Sequence, residues 1–309
     1  MYKLITTLFT LSLLLGCNEN KNMNPFLEEY TTPYEIPPFQ NIKSKHYMPA
    51  FQEGMKEHLL EIDRIIKNPE DPTFENTIVE LERTGKTLDK VSNVFFNLLS
   101  SNTNDEMDSI AQEVSPILSA HSDKILLNKA LFDRVENIHQ SKNLFSLNTE
   151  QLRLIDETYK DFIRSGVQLS PDSMNKLTKI NQKLSSLSLQ FDQNLLKETN
   201  EGYSLVIKDK NMLEGLPEDV IKQAQKLGEI NGHKGKWIFK PTRVSMYPFL
   251  TYSTKRELRE KLYKSYIKRG DNDNEKDNKN LAIQMVDLRT QKANLLGYKT
   301  HADFVLENT

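Results

Sequence analysis

Apolar residues recur at three- and four-residue spacing along most of this chain. Phe51, Met55, Leu59, Ile62 and Ile66 form one stripe, the pattern of a helix with one face on a core. Asn68-Pro69 closes it, because the residue before a proline avoids the helical region. Thr73 is placed to cap a second helix that turns Phe74, Ile78 and Leu81 inward and runs towards Leu99. Gly85 is the weak point inside that stretch. Residues 105–127 are helical in pattern, with Pro116 expected to kink or restart them. Residues 128–141 continue with Leu131, Val135 and Ile138 on one face.

Asn148 and Gln151 make a variant capping box ahead of Leu152, Ile155, Tyr159 and Phe162. Gly166 stops that helix, and Ser170-Pro171 starts the next. Leu177, Ile180, Leu184, Leu187, Phe191 and Leu195 then space as a coiled-coil-like seam. They predict a long helix packed antiparallel on a neighbour. After Gly202 the character changes. Residues 203–207 and 236–240 read as short strands, 217–227 as a short helix, and Asn231-Gly232 as a tight turn. Thr254 and Glu257 have capping-box spacing where helices resume. Residues 270–280 are a charged polar loop or helix start, and 281–296 are helical up to Gly297. No fixed-period repeat is present, which excludes a solenoid. Before all of this, residues 25–38 carry Pro33, Pro37 and Pro38 without helical period and read as an extended arm.

Composition agrees with a mainly α protein with a large core. The 309 residues hold only 11 Gly and 12 Pro, too few for a collagen-like or Pro/Gly-rich disordered chain. A mean hydropathy of −0.59 excludes a polytopic membrane protein. Lys plus Arg number 41 against 43 Asp plus Glu, a net charge of −2. That balance offers no global attraction to nucleic acid or an anionic membrane.

The first residues read as an address. Lys3 precedes an apolar run from Leu4 to Leu15, shorter than the roughly 20 residues that cross a bilayer and laid out as a secretory signal. It ends Leu14-Leu15-Gly16-Cys17, and Cys17 is the single cysteine. This resembles a bacterial lipobox, in which the thiol becomes the site of lipidation after residues 1–16 are removed. Residues 18–24 are a polar tether. The expectation is an exported, periplasmic lipoprotein anchored in a membrane through Cys17, stable without disulfides in an oxidising compartment.

The chain offers little chemistry of its own. Its six histidines (His46, His58, His121, His139, His233, His301) contain no H-x-x-x-H pair, so no helix presents two imidazoles on one face. His58 with Glu61, and His121-Ser122-Asp123, are isolated pairings more typical of solvated helix faces. There is no G-x-S-x-G elbow. Gly228, Gly232 and Gly235 fit no phosphate-loop pattern. The basic run Lys255, Arg256, Arg259, Lys261, Lys264, Lys268 and Arg269 reads as the solvated side of an amphipathic helix whose Leu258, Leu262 and Tyr266 face the core. No nucleic-acid partner is expected.

The order of several segments resembles the thimet-oligopeptidase (neurolysin-type) family of zinc metallopeptidases, in its bacterial peptidyl-dipeptidase and oligopeptidase A branch. The segments are Asn24-Pro25-Phe26-Leu27, Pro38-Phe39, His46 to Phe51, residues 68–81, Pro116 to His121, Leu131-Phe132, Phe162 to Gly166, Gly215-Leu216-Pro217, Arg256-Glu257 and 288–297. The resemblance implies a multi-helical N-terminal lobe that narrows a substrate channel, with a small β insertion near 203–240. It implies hydrolysis of oligopeptides by a monomer that uses zinc held by an H-E-x-x-H helix and a downstream Glu, the motif Glu activating a metal-bound water. This sequence contains no H-E-x-x-H, so no catalytic or metal residue carries over. The expected layout is signal 1–16, tether and arm 17–45, helical lobe 46–200, and β insertion with helices 201–309 leading towards an absent catalytic domain. Only Phe304 to Thr309 follow the helix start at Thr300-x-x-Asp303, which reads as a record that stops inside a longer enzyme. Two functions follow: a substrate-gating part of a peptidase, inactive alone, or a complete but catalytically dead, membrane-tethered helical binding module.

Overall fold

The computed structural model describes residues 23–307; the signal, Cys17 and most of the tether lie outside them. The described residues are mainly helical, with one two-stranded sheet. The helices are α1 (Tyr47–Ile66), α2 (Glu80–Arg83), α3 (Lys86–Ser101), α4 (Asp105–Leu126), α5 (Lys129–Ser141) and α6 (Thr149–Ser165). They continue with α7 (Pro171–Glu201), α8 (Glu218–Ile230), α9 (Arg243–Tyr252), α10 (Arg256–Ile267), α11 (Lys279–Leu295) and α12 (His301–Leu306). Strands β1 (Leu205–Ile207) and β2 (Trp237–Phe239) pair antiparallel, with Leu205 opposite Phe239 and Ile207 opposite Trp237. None of the described helices is long and apolar enough to cross a membrane. The chain divides into two compact units, one of residues up to 110 with 128–160, the other of 111–127 with 161 onwards.

In the first unit, α1 packs on α3. The buried face of α1 is Tyr47, Ala50, Phe51, Gly54, Ile62 and Ile65. Phe51 and Ile62 of the expected stripe are on it, while Met55, Leu59 and Ile66 are only half-buried. Small residues bring the helices together: a Cβ on Gly54 would sit 2.9 Å from the Leu88 Cα and N. Phe26 of the arm is fully buried against Tyr47, with ring centroids 5.3 Å apart, and Tyr47 meets Phe95 edge-on at 4.8 Å. The arm is folded into short 3-10 turns at Pro25–Leu27 and Pro33–Glu35, and Lys90 donates to the Glu28 carbonyl from the body.

Thr73 caps as expected, its Oγ1 accepting from the Asn76 N–H. The turn that follows, Phe74–Val79, is a π-helical one that leads into α2. Gly85, at φ +78°, then breaks the stretch, so the run towards Leu99 is two helices rather than one. Arg134 of α5 is buried and ties the segment down. It donates to the carbonyls of Asn68 and Glu70, to Thr77 Oγ1 and to Asn76 Oδ1. The Asn148–Gln151 box closes reciprocally at 2.9 Å on both sides. α4 runs through Pro116 without restarting.

In the second unit the seam residues Leu177, Ile180 and Leu187 are buried in α7, which spans 31 residues. α7 packs on α11. Asn194 donates to Asn278 at the start of α11, and Leu177 and Leu296 meet at Gly166 beyond its end, so the two helices run antiparallel. The β pair closes a separate cluster with Leu213, Leu216, Ala224, Phe249 and Leu262. The Thr254–Glu257 capping box does not form. Thr254 Oγ1 is drawn 40 residues back to Glu214, donating to its carbonyl and carboxylate, and α10 starts after Lys255 with no side-chain cap. At the start of α11, Lys279 gathers Asp271, Asp273 and Asp277 within 2.9 Å.

Candidate functional site

The residues singled out by sequence do structural work. His58 Nε2 lies 3.1 Å from Thr84 Oγ1, and Glu61 accepts from the Gly85 N–H at 2.8 Å. The pair therefore fixes the left-handed turn between α2 and α3. Burial lowers the His58 pKa, against the opposing charges of Glu61 and Asp89. Gly228 lets α8 approach β2, since a Cβ there would strike the Lys236 carbonyl. Gly232 and Gly235 take positive φ in open turns. In the basic run, Lys255 pairs with Glu214, Lys264 with Glu260, and Arg269 donates to Thr199 Oγ1 while lying over the Tyr266 ring. These cations serve the local fold.

One member of the weak pairings does enter a cavity. Asp123, on α4, faces an opening of about 520 Å³ together with Asn181 and Leu184 of α7, Lys292 of α11, Arg164 of α6 and Phe304 of α12. Asn181 Nδ2 donates to Asp123 Oδ1 at 2.9 Å. Asp123 Oδ2 and Asn181 Oδ1 are buried with no partner among the described residues. Burial raises the Asp123 pKa against the opposing pull of the Asn181 and Thr178 side chains and the Lys292 charge. Burial likewise lowers the Lys292 pKa, opposed by Asp123. Each group is thus pushed towards its neutral form by desolvation and held towards its charged form by the other. The Arg164 guanidinium is committed: it donates to Glu307 and to the Phe304 carbonyl and lies 4.6 Å from the Phe304 ring centre.

Sequence reasoning could not assemble this group. Asp123 and Lys292 are 169 positions apart and sit on separate amphipathic helices. Each reads there as an ordinary charged surface residue; only the packing of α4, α7 and α11 brings them to one wall.

No group of three or more His, Cys, Asp or Glu side chains capable of holding a metal ion occurs among the described residues. The described residues therefore do not fit a zinc centre.

Comparison with known proteins settles the kinship. The profile of peptidase family M3 matches residues 249–309. Over a much longer stretch, the chain is 34% identical over 280 residues to the dipeptidyl carboxypeptidase of Escherichia coli, an alignment covering 91% of this chain and 41% of that protein. The chain belongs to peptidase family M3. A second member of the family, oligopeptidase A of Haemophilus influenzae, is 30% identical over 275 residues, 88% of this chain and 40% of its own length. A plant relative, the probable cytosolic oligopeptidase A of Arabidopsis thaliana, is 25% identical over 94% of this chain and 41% of itself. The chain spans about two fifths of the length of these M3 relatives.

Proposed function

We propose that this chain is the helical, substrate-gating part of a zinc-dependent oligopeptidase, and that the hydrolytic centre lies in a part of the enzyme not contained in these 309 residues. The observation that carries the reading is the alignment to a dipeptidyl carboxypeptidase along nine tenths of the chain, in a sequence without H-E-x-x-H. Zinc chemistry needs at least three protein ligands and an open position, and no such group of three occurs among the described residues.

Gating is work for which long, well-capped helices suit. A wall of packed helices admits a flexible oligopeptide and turns away a folded domain by size alone. Positioning side chains on helices holds them more precisely than loops do. Substrates on this reading are short peptides, and the assembled enzyme is a monomer. Export and anchoring through a lipid on Cys17 complete the proposal, placing the peptidase at a membrane on the periplasmic side. Several acyl chains on one cysteine would give the stable attachment that a single chain does not.

The test is direct. The coding sequence is read past the codon for Thr309. An open frame containing H-E-x-x-H supports the proposal, and a genuine stop codon there overturns it in favour of a catalytically dead binding module. Purified 309-residue protein with added zinc is expected to leave a short chromogenic peptide intact; chelator-sensitive cleavage by it would contradict the assignment. Incorporation of labelled fatty acid into the wild type, abolished in Cys17→Ser, checks the anchor.

A further inference from the structure

The arm ahead of α1 is pinned at both ends and exposed in the middle. Phe26 and Ile42 are buried, and Lys90 of α3 donates to the Glu28 carbonyl at 2.8 Å while lying over the Tyr30 ring. Between these fixed points the chain closes a tight turn. Thr32 Oγ1 donates to the Ile36 carbonyl, and the Glu35 N–H donates to the Thr32 carbonyl at 3.0 Å. Pro33, Pro37 and Pro38 stiffen the backbone around it. Tyr34 stands at the tip of this turn, 96% exposed. Tyr34 and Glu35 are both left-handed, at φ +58° and +56°, a conformation that costs about 1–2 kcal/mol at each non-glycine residue. Strain of this kind persists where it serves a site, and here it presents an aromatic ring to the outside. Ile36 and Phe39, close by in the chain, are half-exposed.

The charge around the turn and the length of the tether narrow what it meets. Glu28, Glu29 and Glu35 stand against Lys43 and Lys45. With no excess of positive charge, an anionic surface or nucleic acid has no hold here. An apolar contact with a hydrated rim is what the side chains offer. Tyrosine and phenylalanine suit the interfacial zone of a bilayer, where the ring lies among the headgroups and the phenol stays wet. The Glu35 carboxylate beside Tyr34 remains in water at that depth. If Cys17 carries lipid, only six Cα–Cα steps join it to Met23, a reach of no more than about 20 Å. The arm is then the first described segment beside the bilayer, and a weak affinity counts there because the encounter is intramolecular.

We propose that the turn of residues 32–39 is a second membrane contact, seating Tyr34, Ile36 and Phe39 at the headgroup level of a zwitterionic lipid surface while the lipid on Cys17 supplies the attachment. This contact rests on the lipid-anchored reading proposed above and adds orientation to it. A tether alone leaves the helical body free to turn, whereas a rigid arm resting on the surface fixes which side faces the lipid.

The test couples the mature chain, residues 17–309, through its one thiol at Cys17 to a maleimide-bearing lipid in phosphatidylcholine vesicles. The tether is then present whether or not cells acylate the cysteine. Tyr34→Trp reports the tip, and the unaltered chain supplies the background of Trp237, the single native tryptophan. On vesicles the added emission is expected to shift to the blue and to be strongly quenched by brominated phosphatidylcholine. Ile36→Ser combined with Phe39→Ser should reverse most of both effects. Amide hydrogen exchange over residues 31–41 of the unaltered chain, slower when coupled than when free, reads the same contact should that variant fail to fold. Emission and exchange indifferent to the vesicles would overturn the proposal. So would a blue shift that grows with protein concentration in the absence of lipid, which would assign the turn to a protein surface. Fatty-acid incorporation at Cys17 in cells without quenching on the coupled chain sinks the arm contact alone. Quenching without such incorporation supports the affinity of the turn for lipid and sinks the anchor alone.

Discussion

Arg164 donates to the Phe304 carbonyl at 2.7 Å while its guanidinium lies over the Phe304 ring, so one side chain grips both the backbone and the aromatic face of α12. A helix of six residues is marginal by itself. Its reciprocal cap, with Thr300 N–H on Asp303 and Asp303 N–H on Thr300 Oγ1, fixes the first turn only. Arg164→Ala is therefore expected to release α12, at a cost of about 2 kcal/mol from the lost charged hydrogen bonds. Amide hydrogen exchange over residues 301–307 should accelerate strongly while the amides of α7 keep their protection. Unchanged exchange in α12 would show that Arg164 is not its anchor.

The approach of α1 to α3 is set at Gly54. A methyl group there meets backbone atoms of Leu88 at 2.9 Å, and backbone cannot rotate aside. Gly54→Ala should cost about 2 kcal/mol through forced separation of the two helices, read as a drop in the urea midpoint. Gly232→Ala is the control. Its Cβ meets nothing within 4 Å, and the penalty is that of a left-handed residue, about 1 kcal/mol. Equal losses in the two variants would contradict the close-packing account.

Arg134 ties the irregular residues 68–73 to the π-helical turn that follows them. Its four hydrogen bonds go to the Asn68 and Glu70 carbonyls on the irregular part and to the Thr77 hydroxyl and Asn76 amide oxygen on the turn. Arg134→Met should destabilise by about 3 kcal/mol, because the buried Thr77 hydroxyl and three part-buried acceptors lose a charged donor. Arg134→Lys should recover only a minor part, since one ammonium cannot reach partners arranged around a planar fork. Denaturant melts of the three proteins check the ranking.

Lys279 amid Asp271, Asp273 and Asp277 gives stability a defined acid limb. The lysine and its backbone N–H hold the Asp277 carboxyl down at about 2, below the usual carboxylate value. A pKa lowered on folding means the native state favours the ionised form. The contribution is therefore complete above the unfolded value of about 3.9 and disappears as pH falls through about 2. Lys279→Met should leave a shallower loss of stability between about pH 4 and pH 2 than the wild type shows. The urea midpoints of both proteins across that window measure it. Parallel curves would remove Lys279 as the cause.

Sequence patterning located nearly every helix, because capping and stop signals are local. Asn148 with Gln151, Ser170 before Pro171, and Thr300 with Asp303 all close as their spacing implies. Two kinds of feature escaped it. One is competition from afar: Thr254 has a perfectly spaced Glu257, yet Glu214 captures its hydroxyl. The other is small-residue contact. Ala50 and Gly54 carry no hydrophobic weight in a stripe count, and they turn the buried face of α1 away from Met55 and Leu59. The cavity beside Asp123 belongs to the same category, since its chemistry exists only where three helices distant in sequence converge.

The length of α7 has a mechanical corollary. From Leu177, near the Gly166 junction, to Glu198, which receives Asn272 and Asn274, the helix measures about 32 Å at 1.5 Å per residue. A stiff rod of that length is a lever. A tilt of about 5° at the Leu177 end carries the Glu198 end through about 3 Å, the width of a hydrogen bond. Small rearrangements around the Asn181 wall would thus be magnified at the 270–278 loop, where Glu198 would exchange its asparagine partners in step.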